Sequence, residues 1–303
     1  MTQLDKSSAA GSGSAGTITI RRILHTIHAV RDCDPLRKRY EDLFGAIVFA
    51  ERYHAGEDRD MALLYVANHM LEPMAPRRPE IPDTIFSQYL AKFGESLHSF
   101  EVRVDSAPDA AAICRDHGMD LSSVYPLFFF VKPKSTGGIV VQICGKPLVN
   151  DPKDYRNWNP DWIEGHPSTL RRLRYIACIV RDLDKALYFF TRVVDGKIVE
   201  DCRITVPQPG RRIGICLGDT VIALIIADEP EIGPLGAYCA KPVSGIYALA
   251  WEVDDLAAAE THLRELGVTT EPATLDAEGF AIPPSQMFGA RHEFVLSGRR
   301  EEN

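Results

Sequence analysis

The sequence predicts an α+β fold made of repeated strand–helix–strand units, and three observations carry that prediction. An alternating apolar stretch, Leu24-His25-Thr26-Ile27-His28-Ala29-Val30, runs into the Asp-rich turn Arg31-Asp32-Cys33-Asp34 and then a helical pattern that ends at Leu43-Phe44-Gly45. A close copy returns as Tyr175-Ile176-Ala177-Cys178-Ile179-Val180-Arg181-Asp182-Leu183, followed by Phe189-Phe190 and Gly196. Two weaker copies begin near Leu97 and Ile246, and each copy is followed by short strand-like runs separated by turn residues. Internal repeats of this kind constrain architecture more strongly than local propensity does.

In the first unit, the strand Ile23 to Val30 places His25, Ile27 and Ala29 on one face and Thr26, His28 and Val30 on the other. A helix follows from Pro35 to Phe44, with Asp34 as N-cap, Pro35 at the first helical position and Gly45 as terminator. Strands are expected at Ala46–Tyr53, Met61–Val66 and His69–Met74. The second unit has a strand at Leu97–Val104, a helix at Ala107–Gly118, and strands at Leu127–Val131 and Gly138–Cys144. The third has its helix at Leu183–Val194 and strands at Gly196–Ile204, Arg212–Leu217 and Thr220–Ala227. The fourth has a strand at Ile246–Val253, a helix at Leu256–Leu266 closed by Gly267, and strands at Phe280–Ile282 and Arg291–Leu296.

Four βαβββ modules in two pairs are therefore expected, because one such unit leaves a sheet face uncovered and pairing encloses it. The boundaries read as a disordered Ser/Ala/Gly-rich tail over 1–18, an N-terminal domain over 19–147, a linker over 148–170 and a C-terminal domain over 171–299. The linker is polar and aperiodic, but Trp158 and Trp162 predict that it packs on a surface.

A chain of 303 residues can bury two cores, and 45% hydrophobic with 25% charged residues is an ordinary globular composition. A net charge of -8 argues against a nucleic-acid partner, while local arginines can still receive an anionic small substrate. No apolar run reaches the roughly 18–20 residues of a membrane helix, and the tail lacks the apolar core of a secretory signal. Seven cysteines without a C-x-x-C predict reduced thiols in a cytoplasm rather than disulfides or a zinc–thiolate site.

Three segments, Val180-Arg181-Asp182-Leu183-Asp184-Lys185-Ala186, Trp251-Glu252-Val253-Asp254-Asp255-Leu256 and Lys132-Pro133-Lys134-Ser135-Thr136-Gly137-Gly138, mark fold positions. With them, nearly the whole chain after residue 20 resembles the vicinal oxygen chelate (glyoxalase / bleomycin resistance / dioxygenase) superfamily, in two tandem domains. The third segment makes the N-terminal pair similar to methylmalonyl-CoA epimerases. In metal-bearing members of that superfamily, each unit offers one ligand, near the start of its first strand or late in its last strand. His25 lies seven residues before Asp32 and His98 seven before Asp105, while Glu72 and Gln142 hold the late positions. The resemblance thus implies a metal site of His25, Glu72, His98 and Gln142, a mixed N/O set suited to Mn, Co, Fe, Ni, Zn or Mg. The matching C-terminal positions hold Tyr175, Ala223, Ala248 and Glu293, a degenerate set. Two-domain extradiol dioxygenases keep their iron in that second pair, where this sequence retains only the glutamate.

The expected activity is that of a metal-dependent isomerase, epimerase or lyase acting on a small substrate with vicinal oxygens through a stabilised enolate or alkoxide. One alternative is an Fe(II)-dependent ring-cleaving dioxygenase with its metal in the N-terminal domain; another is a metal-free protein that sequesters an aromatic small molecule. Glu72 is the first candidate base and Glu101 the second, since alternation puts Glu101 on the strand face away from His98 unless a bulge intervenes. His28, His69 and His292 are expected to face away from the site, and Arg211-Arg212 to be solvated. Leu127-Phe128-Phe129-Phe130 reads as a buried strand or as an apolar wall for an aromatic or terpenoid substrate. The C-terminal pair is expected to support the pocket or a homodimer interface.

Overall fold

A computed structural model describes residues 16–298, apart from 149, 156, 165, 167, 206, 207 and 240–244. Most of the expected tail lies outside the described residues. Ile18, at its end, is buried and bridges to Val194.

The first half comprises β1 (Arg22–Ala29), α1 (Cys33–Phe44), β2 (Ile47–His54), β3 (Arg59–Val66), β4 (His69–Pro76), α2 (Ile85–Phe93), β5 (Ser96–Arg103), α3 (Ala107–Asp116), β6 (Leu121–Ser122), β7 (Phe128–Val131) and β8 (Val141–Cys144). These strands form one sheet in the order β2-β3-β4-β1-β5-β8-β7-β6. The second half comprises β9 (Leu170–Ile179), α4 (Leu183–Tyr188), β10 (Lys197–Ile204), β11 (Gly210–Leu217), β12 (Thr220–Ala227), α5 (Gly233–Cys239), β13 (Ile246–Val253), α6 (Leu256–Glu265), β14 (Glu271–Pro272), β15 (Phe280–Ile282) and β16 (Arg291–Leu296). Its sheet runs β10-β11-β12-β9-β13-β16-β15-β14, the same topology strand for strand.

The repeated aspartates act as helix caps. Asp32 accepts a hydrogen bond from the Asp34 amide, Asp182 from Lys185 and Asp255 from Ala258. The cap of α1 is therefore Asp32 rather than Asp34, so the helix starts at Cys33 and Pro35 sits inside its first turn. Gly45 ends that helix at φ 60°. The third-unit helix extends past α4 as a π-helical turn over Phe189–Val193.

The helix-bearing faces of both sheets share one core. Phe44 of α1 packs 6.5 Å from Trp251 and 6.0 Å from Phe294 of the second sheet, while Phe190 lies 6.3 Å from Phe100 of the first. A directional hydrogen-bond chain crosses this contact. The Trp251 indole N–H donates to His292 Nδ1 (2.9 Å), which leaves His292 Nε2 to donate to the Tyr40 hydroxyl (3.3 Å). Tyr40 in turn donates to His28 Nδ1 (2.9 Å), and His28 Nε2 donates to the Phe288 carbonyl (2.8 Å). Indole can only donate, so His292 accepts at Nδ1 and is neutral, and a neutral His28 lets the Tyr40 hydroxyl pass the chain on to the Phe288 carbonyl. Burial lowers the His28 pKa to about 4 and the His292 pKa to about 3.

The Lys132–Gly138 segment also belongs to the contact between halves. The Gly137 carbonyl accepts from the Arg181 amide (2.8 Å), and a Cβ at Gly137, whose φ is +73°, would meet the Asp182 carbonyl at 2.5 Å. The linker packs as expected, with Trp158 4.9 Å from Tyr65 and 5.3 Å from Trp162. Among the described residues, no helix is long and apolar enough to cross a membrane.

Candidate active site

The face of each sheet turned away from the shared core forms a separate concavity. On the first sheet, the four central strands β4, β1, β5 and β8 bring Glu72, His25, His98 and Gln142 to that face, each side chain buried. The backbone register explains Glu101. On β5, Glu101 pairs with His25 and Ser99 with Ile27, but Leu97 pairs with His28, so His98 is an extra residue without a partner on β1. This bulge resets alternation, and His98 and Glu101 share the concave face although they are three positions apart. The strict-alternation expectation for Glu101 is thereby corrected.

His25 is the centre of the cluster. Its Nδ1 lies 3.4 Å from a Glu72 oxygen and its Nε2 3.3 Å from Glu101 Oε1. Neither contact has hydrogen-bond geometry, so His25 Nδ1 and Glu101 Oε1 are both buried without a hydrogen bond. Burial pulls the His25 pKa down, but the Glu72 and Glu101 charges outweigh it, and the pKa stands above its ordinary value. Burial raises that of Glu72, against the opposing effects of His25 and Arg59. His98 donates to or accepts from the Ser99 hydroxyl at 2.8 Å, and burial lowers its pKa to about 4, so it is neutral near pH 7.

Arg59 is the member that sequence reasoning missed. It is buried, donates to Glu72 (3.3 Å) and Glu57 (2.6 Å), and lies 5.5 Å from the Phe86 ring centroid. It starts β3, two positions before the expected strand, where its inward direction had no sequence signal. Also missed was α2, whose Phe86, Tyr89 and Leu90 cover one end of the concavity with Ile27, Ala29 and Met74. Its signal was present: a Thr84–Ser87 capping box followed by apolar residues at helical spacing.

Among the described residues, no group of three or more His, Cys, Asp or Glu is placed to hold a metal ion as the side chains stand. His25 directs its two nitrogens to different carboxylates, and Glu72 commits an oxygen to Arg59. The donor chemistry nevertheless fits a divalent ion. A buried nitrogen and a buried carboxylate oxygen lack hydrogen bonds, and among the described residues the cationic groups facing the two carboxylates are His25 and Arg59, the latter shared with Glu57. Buried anions of this kind call for a counter-cation.

The second sheet's concavity has the opposite character. Glu293 accepts from the Thr274 amide (2.9 Å), the Leu275 amide (3.1 Å) and Arg291 (2.7 Å). Arg212 is buried rather than solvated, bound to Glu200 and donating to the Leu275 carbonyl at 3.3 Å. Arg211 is exposed and paired with Asp201, closer to expectation. Tyr175 keeps a buried hydroxyl without a partner, 5.4 Å from the Arg212 guanidinium measured to the ring centroid. His69 and His292 do face away from Glu72 and Glu293, and His69 pairs with the Thr26 hydroxyl at 2.9 Å.

Residues 172–279 match the model of the Glyoxalase/Bleomycin resistance protein/Dioxygenase superfamily. The second half therefore carries a domain of that superfamily. The first half repeats its strand order, so the chain has the tandem glyoxalase-type fold. Solved structures agree on this architecture. A variant of 4-hydroxymandelate synthase from Streptomyces coelicolor is similar over 93% of this chain and 94% of its own, at 16% identity and a TM-score of 0.69. The 2,3-dioxygenase LapB from Pseudomonas sp. KL28 is similar over the same shares, at 11% identity and a TM-score of 0.57. A methylmalonyl-CoA epimerase from Mycobacterium tuberculosis is 24% identical over 44% of this chain and 93% of its own, with a TM-score of 0.38. No curated relative matches the chain by sequence. The first two likenesses speak to fold; reaction must be argued from the site.

Proposed function

We propose that the protein is an enzyme that acts on a small substrate with two neighbouring oxygens at the concave face of the first sheet. The observation that carries this reading is the His25–Glu72–Glu101 cluster, with its unbonded buried donor atoms and its raised His25 pKa. Such a pocket draws positive charge. His25, His98, Glu72 and Gln142 are the residues to hold a divalent ion, which when bound polarises substrate oxygens and stabilises negative charge on them. The Ser99 hydroxyl orients the His98 ring, as partners behind a ligand do.

The proton carrier in this reading is Glu101 rather than Glu72. Arg59 holds Glu72 in place, whereas Glu101 Oε1 has no hydrogen bond to give up before taking a proton. Dry walls from α2 keep water from competing for that proton. The outcome is an isomerisation, epimerisation or lyase-type cleavage. A second reading, an Fe(II)-dependent dioxygenase, draws on one observation: His25, His98 and one carboxylate on neighbouring strands form a two-histidine, one-carboxylate set.

Elemental analysis of protein purified without added metal tests the shared part. Stoichiometric metal in the wild type that disappears in His25→Ala and falls in Glu72→Ala supports both readings. Metal content that ignores His25→Ala, or substrate binding without any metal, points instead to a sequestering protein. Oxygen uptake on turnover then separates the dioxygenase from the isomerase or lyase.

A further inference from the structure

We propose that an aromatic ladder of Tyr125, Phe128 and Phe130 is the subsite for the substrate body, which makes the substrate a planar aromatic compound bearing its two oxygens at one end. The proposal deepens the reading above and rests on the reactive cluster lying on the same face of the first sheet.

The register of β7 against β8 sets the ladder's direction. Phe129 and Val131 pair with Ile143 and Val141 and point into the shared core. Phe130, opposite Gln142, and Phe128, opposite Cys144, therefore point the other way, to the concave face. Ring centroids step inward from Tyr125 to Phe128 (4.8 Å), to Phe130 (6.1 Å) and to His98 (6.5 Å). The outer end is open to solvent: Tyr125 is 45% exposed and the neighbouring Val124 50%. A contiguous apolar patch that runs into a polar cluster differs from scattered surface hydrophobes and marks a binding surface. The β3 side of the same face is covered by Leu148 and Trp158, and the far end by α2, so the ladder is the side that reaches water.

The second half supplies an internal control. Phe280 pairs with Phe294 as Phe129 pairs with Ile143, and Ala281 pairs with Glu293 as Phe130 pairs with Gln142. Gly279 and Ala281 thus stand where the first half has Phe128 and Phe130. The same fold closes without those rings, and it lacks them in the half whose carboxylate is already saturated. The rings serve something other than the fold. Strands lie about 4.8 Å apart, so Phe130, two strands from Glu101, is roughly 10 Å from it, and its ring is 6.5 Å from that of His98, within reach of one or two fused rings.

The test uses the full chain and calorimetric titration under argon with 2,3-dihydroxynaphthalene, catechol and Mn(II). The larger diol should bind about tenfold tighter than catechol, through the added ring and its stacking. Phe128→Ala and Phe130→Ala should bring the larger diol down to the catechol level, and Phe128→Ala, at a site beyond Phe130 from His98, should leave Mn(II) affinity within about twofold of wild type. Phe128 is only half-buried, so Phe128→Leu keeps the fold and apolar volume and should still lose most of the difference. Equal binding of the two diols, or a larger diol indifferent to Phe128→Leu, overturns the subsite. If the larger diol depends on Phe128 but Mn(II) does not bind, the subsite stands and the metal reading falls.

Discussion

The two halves have the same strand order and place charged side chains on the same concave faces, yet those side chains are treated in opposite ways. In the second half, Glu293 is met by two amides and a guanidinium, and Arg212 by Glu200 and a carbonyl. In the first, His25 sits between two carboxylates without hydrogen-bond geometry, and Glu101 Oε1 has no hydrogen-bond partner. Saturated buried charges hold structure together, whereas unsatisfied ones persist where another use compensates the cost. Under the proposed function, this difference leaves structure to one half and chemistry to the other. It also explains why Tyr175 can replace a histidine at the matching place: an apolar ring with a hydroxyl costs less there than an unpaired charge.

The histidines that join the halves should give the largest effect. Unfolded histidine titrates near 6.5, whereas His28, His69 and His292 have pKa values lowered by burial to about 4, 3 and 3. Above 6.5 neither state is protonated and their stability contribution is complete. Below it the unfolded chain takes up protons that the folded chain refuses, so stability falls from pH 6.5 towards 4. The slope is about 1.4 kcal/mol per pH unit for each histidine. Urea unfolding at pH 7, 6 and 5 checks this; because His98, also lowered to about 4, adds to the same slope, His28→Gln should flatten it by about a quarter. A midpoint independent of pH over that range would show that the chain between the halves does not hold.

Glu293→Ala should cost about 3–5 kcal/mol, because it strands Arg291 and two buried amides. Glu101→Gln should cost less, about 1–2 kcal/mol, since Oε1 makes no hydrogen bond and only its charge interaction with His25 is lost. Equal losses in urea titrations of the two variants would erase the distinction between the halves. His25→Ala should weaken Co(II) binding, followed by its visible absorption, more than about 100-fold. Tyr175→Ala should leave it unchanged, and the reverse pattern would move the site to the second half. The smallest effect concerns what the halves share. Asp32→Ala and Asp182→Ala each remove one cap and should lower the melting temperature by a similar roughly 2 °C.

Much of this was legible in the sequence. The repeat of strand, Asp turn and helix predicted the tandem topology, and strands at Thr220–Ala227, Ile246–Val253 and Arg291–Leu296 have the predicted bounds. The family resemblance implied that His25 and Glu72 meet at one site, and strand alternation turned His28, His69 and His292 away from it. These are local features, set by side-chain period and by the turn residues that interrupt it. Three others were decided only by tertiary structure. The bulge at His98 moved Glu101 into the cluster, because register belongs to a pair of strands and not to one. Arg212 read as a solvated charge and Arg59 drew no reading; both are buried because carboxylates on neighbouring strands, Glu200 and Glu72, pair with them. The open concave face of β7 became visible once α2 and the linker were seen to cover the rest. Sequence period tells which residues share a face; only the packed chain shows which faces are closed, which are satisfied and which are left for a ligand.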